Sequence, residues 1–539
     1  MRLRRFEVRN FKAIQHIKVE WEDLLVIIGE NNCGKSSLLL ALSWFLSGRA
    51  VVDESLLHKH QTGEDNAIEL TGHFDQLSET DRNETAIRGR MNGDEWSLKK
   101  KVWLENSGGR EAERSGWKEQ LFSFSAQETF DGWPNPDTTW NAFPQNYQPL
   151  IDQMVNRPSR PNQEFRETLK QLVREQRSDL VGHATPEWLA NPGGGGNWKS
   201  NANSIIPRAI YVRAVHEASD ETNSKDASTY GKLINLIVER KLSRRPEILA
   251  LKVALQAVME LFRPIDAHPE HQAEEIRELQ ESISKGLNEV IGGKALIKTQ
   301  QLELQSMLLP STSLVIRDPH FGIETPVTEQ GHGLQRTLIM TLLQLLVEAQ
   351  NEPAENDPVT ARPTVFIIEE PELYMHPQME RRMRDVLYRL SSQQGMQVAC
   401  CTHSPVFLDI ADRYKAIVRL DRAGDGQVTG YQVTQELFLG PPDRAEKDRL
   451  QTVARFDPSV NELFFSKHVV LFEEPSAIAA FERAAQLTGL FSRHPRLHRG
   501  VTAIDCSGRE NVPAFQRILN AFCIPYRVVH DEDKGEPTC

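Results

Sequence analysis

The sequence predicts an α/β protein built around parallel strands. Apolar segments alternate with helical segments, as at Leu24–Ile28 before Lys35–Phe45 and at Val365–Ile368 before a helix from Gln378. Near-continuous apolar strands in this order are typical of parallel sheets that are covered on both faces. A second run of β/α pattern follows after about residue 435. The chain therefore contains at least two α/β units.

Length and composition limit the class of protein. At 539 residues the chain is long enough for about two to four domains. No apolar run reaches the ~18–20 residues that span a bilayer, and Met1–Arg5 lacks the apolar core of a signal peptide, so no membrane partner is expected. Six cysteines without metal-ligand spacing indicate a cytoplasmic location without disulfides or zinc. The net charge of −12 argues against a basic coat over the whole surface, but a local basic groove is compatible with it.

The first half of the chain begins with strands and then loses its pattern. Strands are predicted at Arg4–Val8, His16–Trp21, Ile68–Phe74 and Trp96–Leu104. From about residue 105 to 203 many Trp, Pro, Asn and Gly residues interrupt any periodicity, which indicates an insertion with a flexible exit.

The middle of the chain is predicted to be helical. From Tyr230 to Ile291 apolar residues recur at steps of three and four, which is the helical period. Prolines at 246, 264 and 269 interrupt this stretch and favour a compact arm over a long coiled one. The remaining predicted strands lie near Leu302 and Leu314 and at Ala209–Val212, Gln397–Cys401, Val469–Phe472, Thr502–Asp505 and Arg527–Val529.

The segment Gly29–Ser36 fits the phosphate-loop pattern GxxxxGK[ST] and lies between an apolar strand and a helix, as that pattern requires. Backbone N–H groups of such a loop face the phosphates, Lys35 reaches the β and γ oxygens, and Ser36 binds Mg²⁺. Cys33 is interpreted as a tolerated loop residue rather than a redox switch. We expect ATP to be bound by Gly29, Asn31, Asn32, Gly34, Lys35, Ser36 and Ser37.

Two acids and a histidine follow later buried strands. Glu369 is predicted to hold Mg²⁺, directly or through water, and Glu370 to polarise the attacking water. His403, in Thr402–Pro405, is predicted to sense the γ-phosphate, and its alternative is a structural histidine. A Gly-rich helix start at Gly331–Arg336 is a further site for anions. Because the phosphate loop serves its own nucleotide, this second site is predicted to serve a partner's.

These motifs, in this order, resemble the ABC-type ATPase heads of the SMC and RecF kind. The residue sequences of these motifs resemble those of the OLD (overcoming lysogenisation defect) family, which includes Gabija-type antiphage nucleases. The matching segments are Phe6–Phe11 (FEVRNF), Gly29–Ser37, Gly331–Arg336 (GHGLQR), Glu369–Pro377 (EEPELYMHP) and Thr402–Pro405 (THSP). The resemblance implies an ABC/SMC-like head with a helical dimerisation arm, and it covers about residues 1–100 and 205–435.

The resemblance also implies a composite ATP site in a head-to-head dimer. Gly331, His332, Gly333 and Gln335 would contact ATP that is held by Lys35 of the other chain, and Tyr374–Pro377 would form the cross-dimer loop. Such heads usually present a serine in the Gly-rich element, where this chain has Glu329, Gln330 and His332. His332 or backbone N–H groups are therefore expected to replace that serine.

The family further implies a C-terminal TOPRIM-like nuclease domain, which here is incomplete. Strand-end carboxylates of a parallel sheet meet at one edge, where Glu473, Asp531 and Asp533 would hold Mg²⁺ or Mn²⁺, with Glu473 also acting in catalysis. The usual glycine after the first acid is Glu474, and a further acid is replaced by Ala477. The chain also ends soon after Asp533, where the fold normally continues.

The sequence thus predicts an ATP-hydrolysing DNA endonuclease or nickase, with double-stranded DNA and a second copy of itself, or a higher homo-oligomer, as partners. By resemblance alone, its role would be defence against phage or foreign DNA. One alternative is a nuclease-inactive ATPase scaffold acting with a separate effector, and another is a DNA-repair loader. Basic clusters at Lys99–Lys101, Arg240–Arg245 and Arg381–Arg384 are interpreted as solvated faces in preference to phosphate contacts. The predicted parts are a head at 1–225 (insertion about 105–203), an arm at 226–295, the rest of the head at 296–440 and a TOPRIM-like domain at 460–539.

Overall fold

The computed structural model describes residues 1–47, 53–61, 63–84, 86–88, 90–105, 116–125, 128–134, 139–154, 158–183, 185, 187–190, 198–213, 245–262, 273–290, 315–318, 320–351, 362–493 and 500–531. The chain divides into two compact units. The first comprises Met1–Ala209, Ala361–Ile367 and Gly395–Cys539, and the second comprises Ile210–Thr360 and Ile368–Gln394.

Strands and helices alternate along most of the described chain. The strands are β1 (Arg2–Phe11), β2 (Ile14–Glu20), β3 (Leu24–Gly29), β4 (Ile68–Asp75), β5 (Met91–Asn92), β6 (Glu95–Leu104), β7 (Trp117–Ser125), β8 (Glu128–Phe130), β9 (Val181–His183), β10 (Glu187–Ala190), β11 (Arg208–Val212), β12 (Val315–Arg317), β13 (Glu324–Pro326), β14 (Thr364–Glu369), β15 (Met396–Cys401), β16 (Ile417–Arg422), β17 (Val428–Gln432), β18 (His468–Phe472), β19 (Val501–Asp505) and β20 (Tyr526–Val529). The α-helices are α1 (Lys35–Leu46), α2 (Glu79–Asn83), α3 (Gln148–Ile151), α4 (Gln163–Gln176), α5 (Trp198–Ile205), α6 (Pro246–Phe262), α7 (Glu274–Val290), α8 (His332–Asn351), α9 (Pro377–Ser391), α10 (Pro441–Phe456), α11 (Pro475–Leu487), α12 (Leu490–Arg493) and α13 (Val512–Ala521).

An antiparallel sheet of seven strands opens the first unit, in the order β10-β7-β6-β4-β1-β2 with β5 beside β6. Helix α1 packs on it through Phe45, whose ring centroid lies 5.4 Å from that of Phe6 and 6.3 Å from that of Phe74. Strands β7 and β10 complete this sheet, although both fall inside the predicted insertion. The insertion is therefore shorter than the composition suggested.

Between β7 and β10 the chain forms a small core of its own. Its buried members are Phe130, Trp140, Phe143, Tyr147, Leu150, Ile151, Leu169, Val173 and Leu180. Helix α4 contributes two of them, and Asn162 caps that helix by accepting from the Phe165 N–H at 2.9 Å. This segment is a packed subdomain, where the sequence indicated only a loss of pattern.

A six-stranded sheet carries the motifs, in the order β11-β14-β15-β3-β16-β17. Strand β3 pairs in parallel with β15 on one side and with β16 on the other. All residues of β3 and β15 are buried, as their largely apolar sequences predict; the polar exception is Gln397 of β15. The division between the two units passes through β11 and β14.

The C-terminal part of the first unit is a parallel three-stranded sheet in the order β19-β18-β20. All three strands match the predicted ones to within a residue. Helices α11 and α13 connect them, as parallel pairing requires.

The second unit is mainly helical and includes α6 and α7 from the predicted arm. Pro246 begins α6 and does not break a helix, because a first-turn residue needs no N–H. The parts of that prediction at 226–244, 263–272 and 291–295, and the strand near Leu302, lie outside the described residues. The strand predicted near Leu314 corresponds to β12, Val315–Arg317. Within the described part of the chain, no helix has the length and apolar character to cross a membrane.

Candidate functional site

The phosphate loop joins β3 to α1 through two glycines that need positive φ. Gly29 has φ 150°, and a Cβ there would lie 2.3 Å from the Leu420 carbonyl oxygen, so only glycine fits. Gly34 has φ 98° and precedes the first turn of α1. The Lys35 ammonium donates to the Gly29 and Glu30 carbonyls, each at 2.9 Å. The predicted pattern therefore folds into a loop that wraps its own lysine.

The remaining residues of the loop differ in their exposure to solvent. Asn31, Asn32 and Ser36 are exposed and Ser37 is half-buried. Arg422, at the end of β16, donates to the Asn32 carbonyl at 3.2 Å and so ties the loop to the neighbouring strand. Cys33 is buried, and burial raises the pKa of its thiol, which disfavours the reactive thiolate. This agrees with the interpretation of Cys33 as a tolerated loop residue.

The histidine segment lies beside this loop. Cys401 of β15 is opposite Ile27 of β3, and the Thr402 N–H donates to the Ile27 carbonyl at 3.1 Å. Thr402 is fully buried and its hydroxyl accepts from the Ser404 N–H at 2.9 Å. His403 is exposed between them. The fold thus places Lys35 and His403 on loops that follow adjacent parallel strands.

The paired acids belong to the second unit. Glu369 Oε1 accepts a hydrogen bond from the Tyr211 hydroxyl at 2.8 Å, and Arg336 donates to the Arg213 carbonyl at 2.7 Å and to the Glu369 carbonyl at 3.4 Å. Tyr211 was absent from the predicted site because it lies 158 residues from Glu369 in the chain. Its place on β11 fixes the orientation of the predicted magnesium ligand.

Glu370 is held in an uncommon backbone conformation. It has φ 41°, in the left-handed region that costs a non-glycine residue free energy. The following turn is closed by the Leu373 N–H, which donates to the Glu370 carbonyl at 3.0 Å. Strain of this kind clusters at functional sites, so the geometry is consistent with the predicted catalytic role.

The Gly-rich element forms the start of α8. His332 and Gly333 are exposed, and a Cβ on Gly331 would meet nothing within 4 Å. The His332 ring stacks on Tyr374, with centroids 5.0 Å apart and planes 16° apart. Gln335 is buried and donates to the Gln330 carbonyl at 2.8 Å, so its side chain braces the turn. The Gly-rich element and the predicted cross-dimer loop therefore contact each other within the second unit, through His332 and Tyr374.

The C-terminal acids collect at one edge of the parallel sheet. Phe472 is opposite Asp505 and Val529, so Glu473 leaves β18 where the neighbouring strands end. The Asp531 N–H donates to Glu473 Oε2 at 3.4 Å. Asp505, which was not among the predicted ligands, lies at the same edge and accepts from the Ser507 N–H at 2.8 Å. Carboxylate oxygens are the ligand type that Mg²⁺ and Mn²⁺ prefer.

Other predicted members of this site are not brought together. Asp533 lies outside the described residues. The Glu474 carboxylate accepts a hydrogen bond from the Ser476 hydroxyl at the start of α11. It therefore does not replace the family's further acid, which is Ala477 in this chain. Among the described residues there is no group of three or more His, Cys, Asp or Glu side chains arranged as a metal site.

Two of the three basic clusters lie within the described residues. Lys99 pairs with Glu69 at 3.9 Å and Lys101 with Glu64 at 3.1 Å, whereas Lys100 is buried. Arg384 pairs with Asp385 at 2.8 Å. The pairs of Lys99, Lys101 and Arg384 are compatible with charged faces, but Lys100 is buried and does not belong to a solvated face. Arg240–Arg244 lie outside the described residues.

Two family models match the chain in succession. A model described as the AAA ATPase domain matches residues 1–408, and one described as overcoming lysogenization defect protein-like, TOPRIM domain, matches residues 464–533. The chain therefore joins an ATPase domain to an OLD-like TOPRIM domain, which confirms that part of the sequence analysis.

Curated relatives carry the same family name. The chain is 26% identical over 272 residues to the OLD nuclease of Thermus scotoductus, an alignment covering 49% of this chain and 47% of that protein. The chain thus spans about half the length of that relative. It is 23% identical over 545 residues to the Old nuclease of Escherichia phage P2, covering 99% of this chain and 77% of that protein.

Solved structures similar to the chain include SMC head domains. That of Thermotoga maritima has a TM-score of 0.31 and 12% identity, covering 81% of this chain and 100% of that chain. An SMC head domain with an extended coiled coil from Pyrococcus furiosus has a TM-score of 0.36 and 13% identity, covering 80% and 96%.

Proposed function

The chain belongs to the AAA ATPase domain family, and on that premise we propose that it is an ATP-dependent DNA endonuclease or nickase. The observation that carries the proposal is that two groups of polar side chains lie at strand ends of two different sheets in the first unit. We call these places the two proposed reactive edges. Lys35 and His403 follow adjacent strands of one sheet, and Glu473 and Asp531 meet at the edge of another. The curated relatives named as nucleases support the second activity.

In the proposed ATPase site, Lys35 neutralises the β and γ phosphates and His403 contacts the γ-phosphate. Ser36 and Glu369 would hold Mg²⁺, which neutralises charge on the phosphates. Glu370 orients and polarises the attacking water. We propose that Gly331, His332 and Gly333 of a second copy complete the site, with Gln335 bracing that turn.

In the proposed nuclease site, Glu473, Asp531 and Asp533 would hold Mg²⁺ or Mn²⁺, which activates water and neutralises the scissile phosphate. Glu473 is the proposed acid or base, because its side chain is already placed beside the Asp531 backbone. The substrate is double-stranded DNA, and the biological role is defence against phage or foreign DNA. The role rests on the family resemblance, and a cytoplasmic location fits the few, scattered cysteines of the sequence.

The test is cleavage of supercoiled plasmid by the purified full chain, with Mn²⁺ or Mg²⁺ and with or without ATP. Asp531→Ala should abolish nicking and leave ATP hydrolysis intact. Glu482→Ala, which removes an exposed acid from α11 in the same domain, is the matched control and should nick like the parent.

The alternative is a nuclease-inactive ATPase scaffold that acts with a separate effector. It would be established by ATP hydrolysis without nicking under any metal and nucleotide condition, together with no Mn²⁺ binding by calorimetry. Nicking that persists in Asp531→Ala would instead reject the assignment of this site.

A further inference from the structure

A short segment connects the two proposed reactive edges of the first unit, the one beside His403 and the one at Glu473. We call residues 458–467 the coupling segment; it consists of the 3₁₀ helix Pro458–Phe465 and the two residues that follow it. Strand β18, which ends at Glu473, begins immediately afterwards. Val460, Leu463 and Phe464 are buried, so the segment is packed into the unit and is not a free linker.

Asn461 fixes one side of the coupling segment to the histidine loop. Its side-chain amide donates to the Pro405 carbonyl at 3.0 Å and to the Leu408 carbonyl at 3.1 Å. Pro405 is the second residue after His403, and Asn461 is only 5% exposed. Both bonds reach the same short loop, and the one to Leu408 is buried, so breaking it would leave a buried polar group unsatisfied.

The other side of the coupling segment is fixed to the TOPRIM-like domain. The Phe464 ring packs edge-on against Phe522, just after α13, with centroids 4.9 Å apart. The Ser466 hydroxyl contacts the Thr502 hydroxyl on β19. Arg419, on the strand beside β3, donates to the Phe522 carbonyl at 3.2 Å. The coupling segment therefore contacts the histidine loop through Asn461, the end of α13 through Phe464, and strand β19 through Ser466.

A further contact reaches the phosphate loop itself. Lys467, the last residue of the coupling segment, lies 3.2 Å from a carboxylate oxygen of Glu30. Both side chains are more than half exposed, at 67% and 60%, so this pair contributes little to stability. The position of the pair is what matters here. The negative charge of a nucleotide phosphate bound beside Glu30 would change the electrostatic potential at Lys467.

We propose that the coupling segment transmits the nucleotide state of the His403 loop to the metal edge at Glu473, and that Asn461 is the positioning residue of this link. The inference rests on the proposed function, since it assigns a regulator to the same two sites. Coupling is reciprocal in binding, so occupancy of the Glu473 edge should alter ATP affinity by the factor with which ATP alters metal affinity.

The test is hydrogen exchange in the full chain carrying Glu370→Gln, with and without ATP and Mg²⁺. Exchange of the backbone amides at 458–472 should slow by about fivefold or more on ATP binding, together with those at 402–408. With Asn461→Ala added, residues 402–408 should still respond and 458–472 should not. Asn520→Ala, an exposed asparagine on α13, is the matched control and should behave like the parent.

The result that overturns the proposal is an ATP response confined to 29–37 and 402–408 in the chain that retains Asn461. This readout needs no variant at Asn461 and no DNA cleavage, so it stands if Asn461→Ala fails to fold or if the chain proves to be a scaffold. Where nicking is measurable, Asn461→Ala should bring the ratio of nicking rates with and without ATP close to one, with ATP hydrolysis retained. Nicking that stays fully ATP-responsive in Asn461→Ala would reject the role of Asn461 and leave the nuclease assignment in place.

Discussion

The backbone around Glu370 is strained at two residues of the proposed ATPase site. Glu370 and Tyr374 both have positive φ, at 41° and 62°, within one turn after β14. Neither is a glycine, so each conformation costs on the order of 1–3 kcal/mol that the surrounding packing must offset. One strained residue is the proposed base and the other stacks on His332. Both strained residues therefore carry side chains to which the proposed ATPase site assigns a role.

We predict that Glu370→Gln binds ATP as the parent does and loses turnover by at least about a hundredfold, because the amide cannot polarise water. Lys35→Ala should instead lose binding, since a charge-assisted contact worth about 2–3 kcal/mol or more is removed. Equilibrium binding of a fluorescent ATP analogue and phosphate release separate the two effects. Turnover of Glu370→Gln at the parental rate would show that another group activates the water.

Tyr211 gives a second prediction at this scale. Its hydroxyl donates to Glu369 Oε1, and partners of a metal ligand typically set metal affinity by about 10–100-fold. Tyr211→Phe should therefore raise the Mg²⁺ concentration at half-maximal ATP hydrolysis by about tenfold. Tyr147→Phe is the matched control, because the Tyr147 hydroxyl donates to the Asp131 carbonyl in the insertion. An unchanged Mg²⁺ profile in Tyr211→Phe would leave the contact with a structural role only.

At the scale of elements, helix α1 depends on a residue from another strand. Its last turn contains no basic residue of its own. Lys100 of β6 supplies one, with its ammonium 3.2–3.4 Å from the carbonyls of Trp44, Phe45 and Ser47. A cation at a helix C-terminus is favourable, whereas burial of this side chain lowers the pKa of Lys100 to about 8. The phosphate-loop helix is thus anchored by a buried, titratable group.

This pKa gives a pH prediction with a definite sign. Between pH 8 and about 10.5 the unfolded chain holds the Lys100 proton and the folded chain releases it, so this group makes stability rise with pH. The stability difference between the parent and Lys100→Met should shift in favour of the parent across that window, by on the order of 3 kcal/mol. Melting temperatures at pH 7, 8, 9 and 10 measure it. Lys118→Met, at an exposed lysine of β7, should show no such trend, and a shift of the opposite sign for Lys100→Met would refute the burial argument.

The sequence predicts some elements closely and others poorly, for a physical reason. Strands β3, β14 and β15 are mostly apolar and end in recognisable loops, so local pattern defines them. The core that includes Trp140, Phe143 and Tyr147 has no regular period, because its members meet only through tertiary packing. The same limit applies to the site. The motifs predict Lys35, Glu369 and His403 directly. Tyr211 and Asn461 were not predicted, because their contacts join segments that are distant in the chain.

At the scale of the whole molecule, each unit contains a different part of the proposed ATPase site. The first unit holds the phosphate loop and His403, and the second holds Glu369, Glu370 and the Gly-rich element. In the proposed two-fold dimer, each composite site takes His332 from one chain and its phosphate loop from the other. Defects at these two places should therefore complement each other between chains.

We predict that Lys35→Ala and His332→Ala are each inactive in ATP hydrolysis and that their mixture recovers activity. In a mixed dimer one composite site carries both defects and the other carries none. Random exchange of equal amounts makes half of the dimers mixed, so about a quarter of the parental rate should return. Steady-state phosphate release after exchange measures it, with mixed dimers verified by mass. The control mixture is Lys35→Ala with Glu370→Gln, which should stay inactive because both residues act on the nucleotide of their own chain. No recovery in the first mixture, once exchange is verified, would place the whole site within one chain, because each chain would then keep its own defect.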